Sequence, residues 1–199
     1  MKEIIKNTLI LFAITLVSGL LLGVVYEVTK NPRKKQEELA KQRAYKIVFD
    51  DASRFEEVEY DDSKLEKHLS KASVDGVVVA YDKKDKKLGY VITVTDKEGY
   101  GGDITLAVGI RNDKTVNGIS ILSISETAGL GMEAKDKSFT KQFSNKKVDR
   151  FVYTKSGAVA ENEIDVISGA TITTNAVTNG VNSAIICFEY FTDGGGENE

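Results

Sequence analysis

Two glycine-bearing loops hold the residues best suited to chemistry. The first, Ser125-Glu-Thr-Ala-Gly-Leu-Gly-Met132, follows a β-branched run. Gly129 and Gly131 flank Leu130, giving a tight backbone path that a planar or bulky group could approach closely. The second, Asp165-Val-Ile-Ser-Gly-Ala-Thr-Ile-Thr-Thr174, precedes an amphipathic segment. Ser168, Thr171, Thr173 and Thr174 could each cap the orphan N–H groups of a helix, but one cap suffices. Four hydroxyls around Gly169-Ala170 also suit a phosphate, which a helix N-terminus attracts through free N–H groups and its dipole. On the residues alone, capping and phosphate binding are both open.

Composition removes several other chemistries. The 199 residues include one cysteine, Cys187, and one histidine, His68. A lone cysteine forms no intramolecular disulfide and no Cys-based zinc or iron–sulfur centre within the chain. Cys187 lies in an apolar run and reads as a small buried hydrophobe, and His68 as a surface residue. With 27 Lys plus Arg against 30 Asp plus Glu, the net charge of −3 argues against a nucleic-acid partner. A dinucleotide fingerprint would need a third glycine where Ala134 stands, and a parallel β-α-β unit that the pattern does not predict.

Asp165-x-x-Ser168-Gly169-Ala170-Thr171 resembles the covalent flavinylation motif of the FMN-binding domain family. Glu126-Thr127-Ala128-Gly129-Leu130-Gly131 is similar to that family's Glu-Thr-Pro-Gly-Leu-Gly loop, with Ala128 in place of the usual proline. The stretch from Gly99 through Tyr100 to Ile110 resembles its strand entry. The order of segments is most similar to the G subunits of Rnf ion-translocating ferredoxin:NAD oxidoreductase complexes. It also resembles the C subunits of sodium-translocating NADH:quinone reductases, which are usually longer than this chain. The resemblance implies FMN attached by a flavin transferase, through a phosphoester, to Thr171. It implies an electron carrier without a substrate site of its own, working as one component of a translocating oxidoreductase. The implied partners are the other Rnf subunits, above all the flavinylated membrane D subunit. Ser168, Gly169, Ala170, Glu126, Thr127, Gly129, Leu130, Gly131 and Tyr100 are the further cofactor residues it suggests. Tyr100 could cover the ring or be a core aromatic. Glu126 could bond the flavin or brace its loop, and Asp165 could orient the second loop or serve the transferase. The alternatives are another flavinylated anchored shuttle, a quinone-reductase subunit, or a non-redox tethered binding domain.

The elements that must carry these loops follow from periodicity. Residues 8–26 contain no charged side chain and, at 1.5 Å per residue, match one hydrocarbon thickness. The run exceeds a signal-peptide core and lacks a small-x-small exit, so it reads as an uncleaved single-pass anchor. Lys2 and Lys6 precede it, whereas Lys30, Arg33, Lys34, Lys35, Lys41 and Arg43 follow. That bias points the soluble part into the cytoplasm, and the resemblance implies the extracytoplasmic side of the cytoplasmic membrane. Asn31-Pro32 reads as the start of a second helix, a stalk reaching about Phe49. Residues 50–62 read as irregular and 63–71 as a short helix. Strands are predicted over 76–81, 88–95, 104–110 and 118–124, on short turns that make the sheet antiparallel. A short helix is expected over 139–143, a possible strand over 148–153 and an amphipathic helix over 173–191. The fold class is α+β, an antiparallel sheet with packed helices. The expected division is a flank over 1–7, a transmembrane helix over 8–26 and a stalk with linker over 27–72. An FMN-binding domain over 73–192 and a disordered tail over 193–199 complete it.

Overall fold

A computed structural model describes residues 1–60, 69 and 72–192. The expected helix over 63–71 (Leu69 apart), His68 and the tail over 193–199 lie outside the described residues. The chain divides into two compact units, Met1–Ala40 and Lys41–Glu199.

The first unit is helical throughout. Helix α1 spans Lys2–Val48 without interruption, with Pro32 inside it. The stalk is therefore no separate helix, which corrects the reading of Asn31-Pro32 as a start. Proline removes one hydrogen bond, to the carbonyl four residues back. Val28, which supplies that carbonyl, is exposed, so water can take the donor's place. In the apolar stretch Thr8 Oγ1 donates to Ile4 O at 2.9 Å and Thr15 Oγ1 to Leu11 O at 3.1 Å. These hydroxyls are satisfied within the helix, as an apolar surround demands. The helix is long and apolar enough to cross a bilayer.

The second unit is built on a five-stranded antiparallel sheet in the order β1-β2-β3-β4-β5. Its strands are β1 (Arg54–Glu57), β2 (Ala72–Tyr81), β3 (Lys87–Asp96), β4 (Ile104–Arg111) and β5 (Val116–Ser123). Strand β1 falls in a stretch read as irregular. Three of its four residues, Arg54, Glu56 and Glu57, are charged, and tertiary pairing to β2 holds it as an edge strand. The alternation of the central strands feeds two cores. Val77, Val79, Ile92, Val94, Leu106 and Val108 face one side, while Val78, Ala80, Val91 and Ala107 face the other. Both faces are covered, which is why these strands are apolar on both sides.

The last turns of α1 cover the smaller face with Ala44, Tyr45 and Val48. Asn117 Nδ2 donates to the Val48 carbonyl, one of the acceptors a helix end leaves without a partner. Arg111 Nε holds Asn117 Oδ1 at 2.7 Å, and Arg111 also pairs with Asp51 at 3.1 Å.

The larger face is covered by α3 (Thr171–Thr192). Ala176, Val177, Val181, Ala184, Ile185 and Phe188 are buried along one stripe, as the 3.6-residue spacing requires. Between β5 and α3 lie a 3₁₀ turn (Gly131–Lys135), α2 (Lys137–Thr140), a second 3₁₀ turn (Lys141–Phe143), β6 (Val152–Thr154) and β7 (Glu163–Asp165). Strands β6 and β7 pair in parallel as a separate small ribbon. Asn182 of α3 accepts the Phe151 N–H at 2.8 Å and donates to its carbonyl at 3.0 Å. That clamp fixes the segment leading into the Asp165 loop against the helix.

Candidate functional site

The two glycine-bearing loops meet. Strand β5 delivers the first, and the ribbon β6–β7 delivers the second onto the start of α3. Between them lies a cleft of about 600 Å³, within the usual range for a small-molecule site. Tyr100, Glu126, Thr127, Leu130, Gly131, Gly169, Ala170, Thr171, Ile172 and Thr173 line it.

The first wall is a tight turn. Leu130 N–H donates to Thr127 O at 3.2 Å, closing a four-residue turn in which Gly129 has φ +75°. A positive φ at the third position defines a type II turn, which favours proline at the second, occupied here by Ala128. Gly131 then passes close to other atoms. A methyl group there would stand 2.6 Å from Thr173 Oγ1 and 2.8 Å from Glu126 Oε2. Only a glycine lets the loop, the Glu126 carboxylate and the first turn of α3 come together at that point.

The floor is set by Glu126. It is buried, and its Oε1 accepts the Gly101 N–H at 3.1 Å. The carboxylate therefore braces the Gly99–Gly102 turn against the first loop. Tyr100 stands on that turn at 72% exposure, which removes the core-aromatic reading. Ile172 and Leu130 are also exposed at the mouth.

The second wall is the start of α3. Thr174 N–H donates to Ala170 O at 3.0 Å, so Ala170 occupies the cap position. Its methyl accepts nothing, and the N–H groups of Thr171, Ile172 and Thr173 carry no cap from it. Of the two open readings, capping is not what the hydroxyls of Ser168, Thr171, Thr173 and Thr174 do: none accepts an N–H of the first turn. Thr174 Oγ1 instead accepts the Ile167 N–H at 3.0 Å and donates to Ala170 O at 3.0 Å, locking the approach to the helix. Thr173 is 1% exposed against Gly131, and Thr171 is half-buried on the cleft wall.

Not every expected residue reaches the cleft. Ser168 is exposed in the turn before Gly169, and Gly129 lies in the turn behind Leu130. Asp165 faces away: its Oδ1 accepts the Ala158 N–H at 2.6 Å and its N–H donates to Gln142 at 2.7 Å. It orients the loop. Ile172 and Thr173 line the cleft without having been expected as cofactor residues. The helix begins two residues earlier than its apolar stripe suggests, and the poor cap at Ala170 hid that start. Cys187 is buried in α3, and burial pushes its thiol up to about 12. Among the described residues, no group of three or more His, Cys, Asp or Glu could hold a metal ion.

Comparison with known proteins fits this architecture. The FMN-binding domain family matches residues 99–186, and the RnfG N-terminal region matches residues 1–48. The G subunit of the proton-translocating ferredoxin:NAD(+) oxidoreductase complex of Clostridium ljungdahlii is 33% identical over 89% of this chain and 88% of its own. The chain belongs to the RnfG family. The G subunit of the Na(+)-translocating ferredoxin:NAD(+) oxidoreductase complex of Acetobacterium woodii is 30% identical over 94% and 93% of the two chains. The G subunit of the ion-translocating oxidoreductase complex of Methanosarcina acetivorans is 32% identical over 92% and 94%. Among solved structures, the C subunit of the Na(+)-translocating NADH-quinone reductase of Parabacteroides distasonis shares the fold. It superposes with a TM-score of 0.51 at 22% identity, covering 71% of this chain and 78% of that one. Shewanella oneidensis NqrC gives the same TM-score at 23% identity over 59% of each chain.

As an RnfG family member with an FMN-binding domain, the chain calls for a test of fit to FMN. The cleft has the volume for it, its mouth carries three large apolar side chains, and one wall offers helix N–H groups to a phosphate. The residues present suit the group.

Proposed function

We propose that this protein is a membrane-anchored electron carrier of an Rnf complex, with FMN joined through a phosphoester to Thr171. The observation that carries the reading is the cleft between the Thr127–Leu130 turn and the start of α3, with Thr171 on its wall. Of the three threonines there, Thr174 uses its hydroxyl in the loop lock and Thr173 is enclosed against Gly131. Thr171 is the hydroxyl left at a half-exposed position beside uncapped N–H groups. Attachment by a flavin transferase would join Thr171 Oγ to the FMN phosphorus of FAD, with AMP leaving and the hydroxyl proton passing to solvent. The flavin, once held, supplies reversible uptake of one or two electrons.

The chain's own groups then have defined tasks. The N–H groups of Thr171–Thr173 hold the phosphate, and Gly169 and Ala170 let it approach. Leu130, Tyr100 and Ile172 cover the ring and limit water. The backbone at Gly129 and Gly131 shapes the pocket edge, the Thr127 carbonyl closes the turn behind it, and Ser168 stands in the Ile167–Ala170 turn. Helix α1 crosses the membrane once, with the second unit on the extracytoplasmic side. Its partners are the other Rnf subunits, including the flavinylated D subunit.

Coexpression with a flavin transferase tests the reading. A flavin-fluorescent band on a denaturing gel is expected from the wild type and is lost, at least a hundredfold, in Thr171→Val. Mass spectrometry of the peptide containing Thr171 should show the added FMN phosphoryl group. A dark wild-type band would sink the proposal. Protease accessibility in sealed cells tests the side, and cleavage of residues 41–199 only from the cytoplasm would refute the placement.

A further inference from the structure

We infer that Glu126 sets the reduction potential of the cofactor by holding a negative charge in the cleft wall. This rests on the FMN reading above. Bracing the Gly99–Gly102 turn needs only an acceptor oxygen, and the Oε1 bond to Gly101 N–H supplies it. A neutral amide side chain would do the same. The carboxylate brings something the brace does not require, a second oxygen, Oε2. That oxygen stands over Gly131, where a single methyl group would touch both it and Thr173 Oγ1. Both residues line the cleft. Among the described residues no ion pair includes Glu126.

Burying a carboxylate outside an ion pair is costly, and such charges act more strongly in a shielded site than in water. Each electron taken up by a bound flavin adds a negative charge unless a proton accompanies it. Glu126 opposes that charge and favours the oxidised form. The residue is thus a positioning group for its two loops and an electrostatic control on the cofactor.

The test uses the full chain in detergent, coexpressed with a flavin transferase and titrated by spectroelectrochemistry. Glu126→Gln keeps an oxygen for Gly101 N–H and removes the charge. It should shift the two-electron equilibrium at least tenfold towards reduction, about 30 mV upward. Glu126→Asp should stay near the wild-type value. A fluorescent Glu126→Gln protein with an unchanged potential overturns this inference and leaves the FMN reading intact. A dark wild type sinks both. Redox-difference infrared spectra of wild type carrying carbon-13 glutamate provide a check free of any variant. Reduction should shift a glutamate carboxylate band, and the absence of any such shift overturns the inference.

Discussion

Ala128 sits at the second position of a turn whose third residue, Gly129, has φ +75°. That position needs φ near −60° in a type II turn, the value a proline ring enforces. The departure from the family's Glu-Thr-Pro-Gly-Leu-Gly therefore leaves the folded turn in place and loosens only the unfolded chain. Ala128→Pro is expected to stabilise the second unit by about 0.4–1 kcal/mol, with flavin loading unchanged. Urea denaturation followed by circular dichroism measures it, and a loss of stability would show that the turn is not type II. Burial sets the state of Cys187 in the same local way. Its thiol is raised from 9.0 to about 12, so the folded state holds the neutral form, and this contribution is present below the lower value and lost as pH rises through the interval.

The short ribbon shows how an element can depend on one carboxylate. Glu163 Oε2 accepts the N–H groups of Val159 at 2.8 Å and Ala160 at 3.0 Å. The Val159 N–H, then that of Ala160, holds the carboxyl below its usual range. A carboxylate with a lowered folded pKa contributes stability above its unfolded pKa and loses it as pH falls through the folded value. Acidification below the ordinary glutamate range should release the Val159 and Ala160 amides to hydrogen exchange, while the sheet amides stay protected. Glu163→Ala, which leaves no side-chain acceptor, should give the same fast exchange at neutral pH. Equal protection at both pH values would contradict this. The elements themselves were unevenly legible. Strands β2 to β5 announce themselves through β-branched runs and turn residues, and α3 through its apolar stripe. Strand β1 does not, because Arg54, Glu56 and Glu57 resemble a solvated loop and only pairing to Val78 and Ala80 makes a strand of them. The start of α3 was misplaced because Ala170, a poor cap, stands where a hydroxyl residue is the usual sign. The loops could be read as partners in chemistry from Gly129, Gly131 and Thr171, but their meeting depends on β5 and the ribbon converging. Glu126 as a brace was open in sequence, because its partner Gly101 lies 25 residues away.

At the scale of the whole molecule, the two units carry separate work. Residues 1–40 contribute no buried side chain, and the first residue to enter a core is Ala44. Every residue of the smaller core lies between Ala44 and Ala107, and the larger core draws on β2 to α3. Apolar burial is what stabilises a domain of this size, so removing a segment that buries nothing should leave its stability nearly unchanged. A chain of residues 41–199 is expected to fold, with a melting temperature within about 2–4 °C of the parent, equivalent to 1 kcal/mol. It retains the cleft, Thr171 and the Asn117 bond to Val48, so it should also accept flavin. What it loses is the only helix among the described residues long and apolar enough to cross a bilayer. After cell lysis and ultracentrifugation the parent should pellet with membranes and the shortened chain should stay in the supernatant, both with fluorescent bands. A shortened chain that still pellets would place membrane attachment in the second unit, and one that unfolds would show that α1 stabilises the sheet through more than its last two turns.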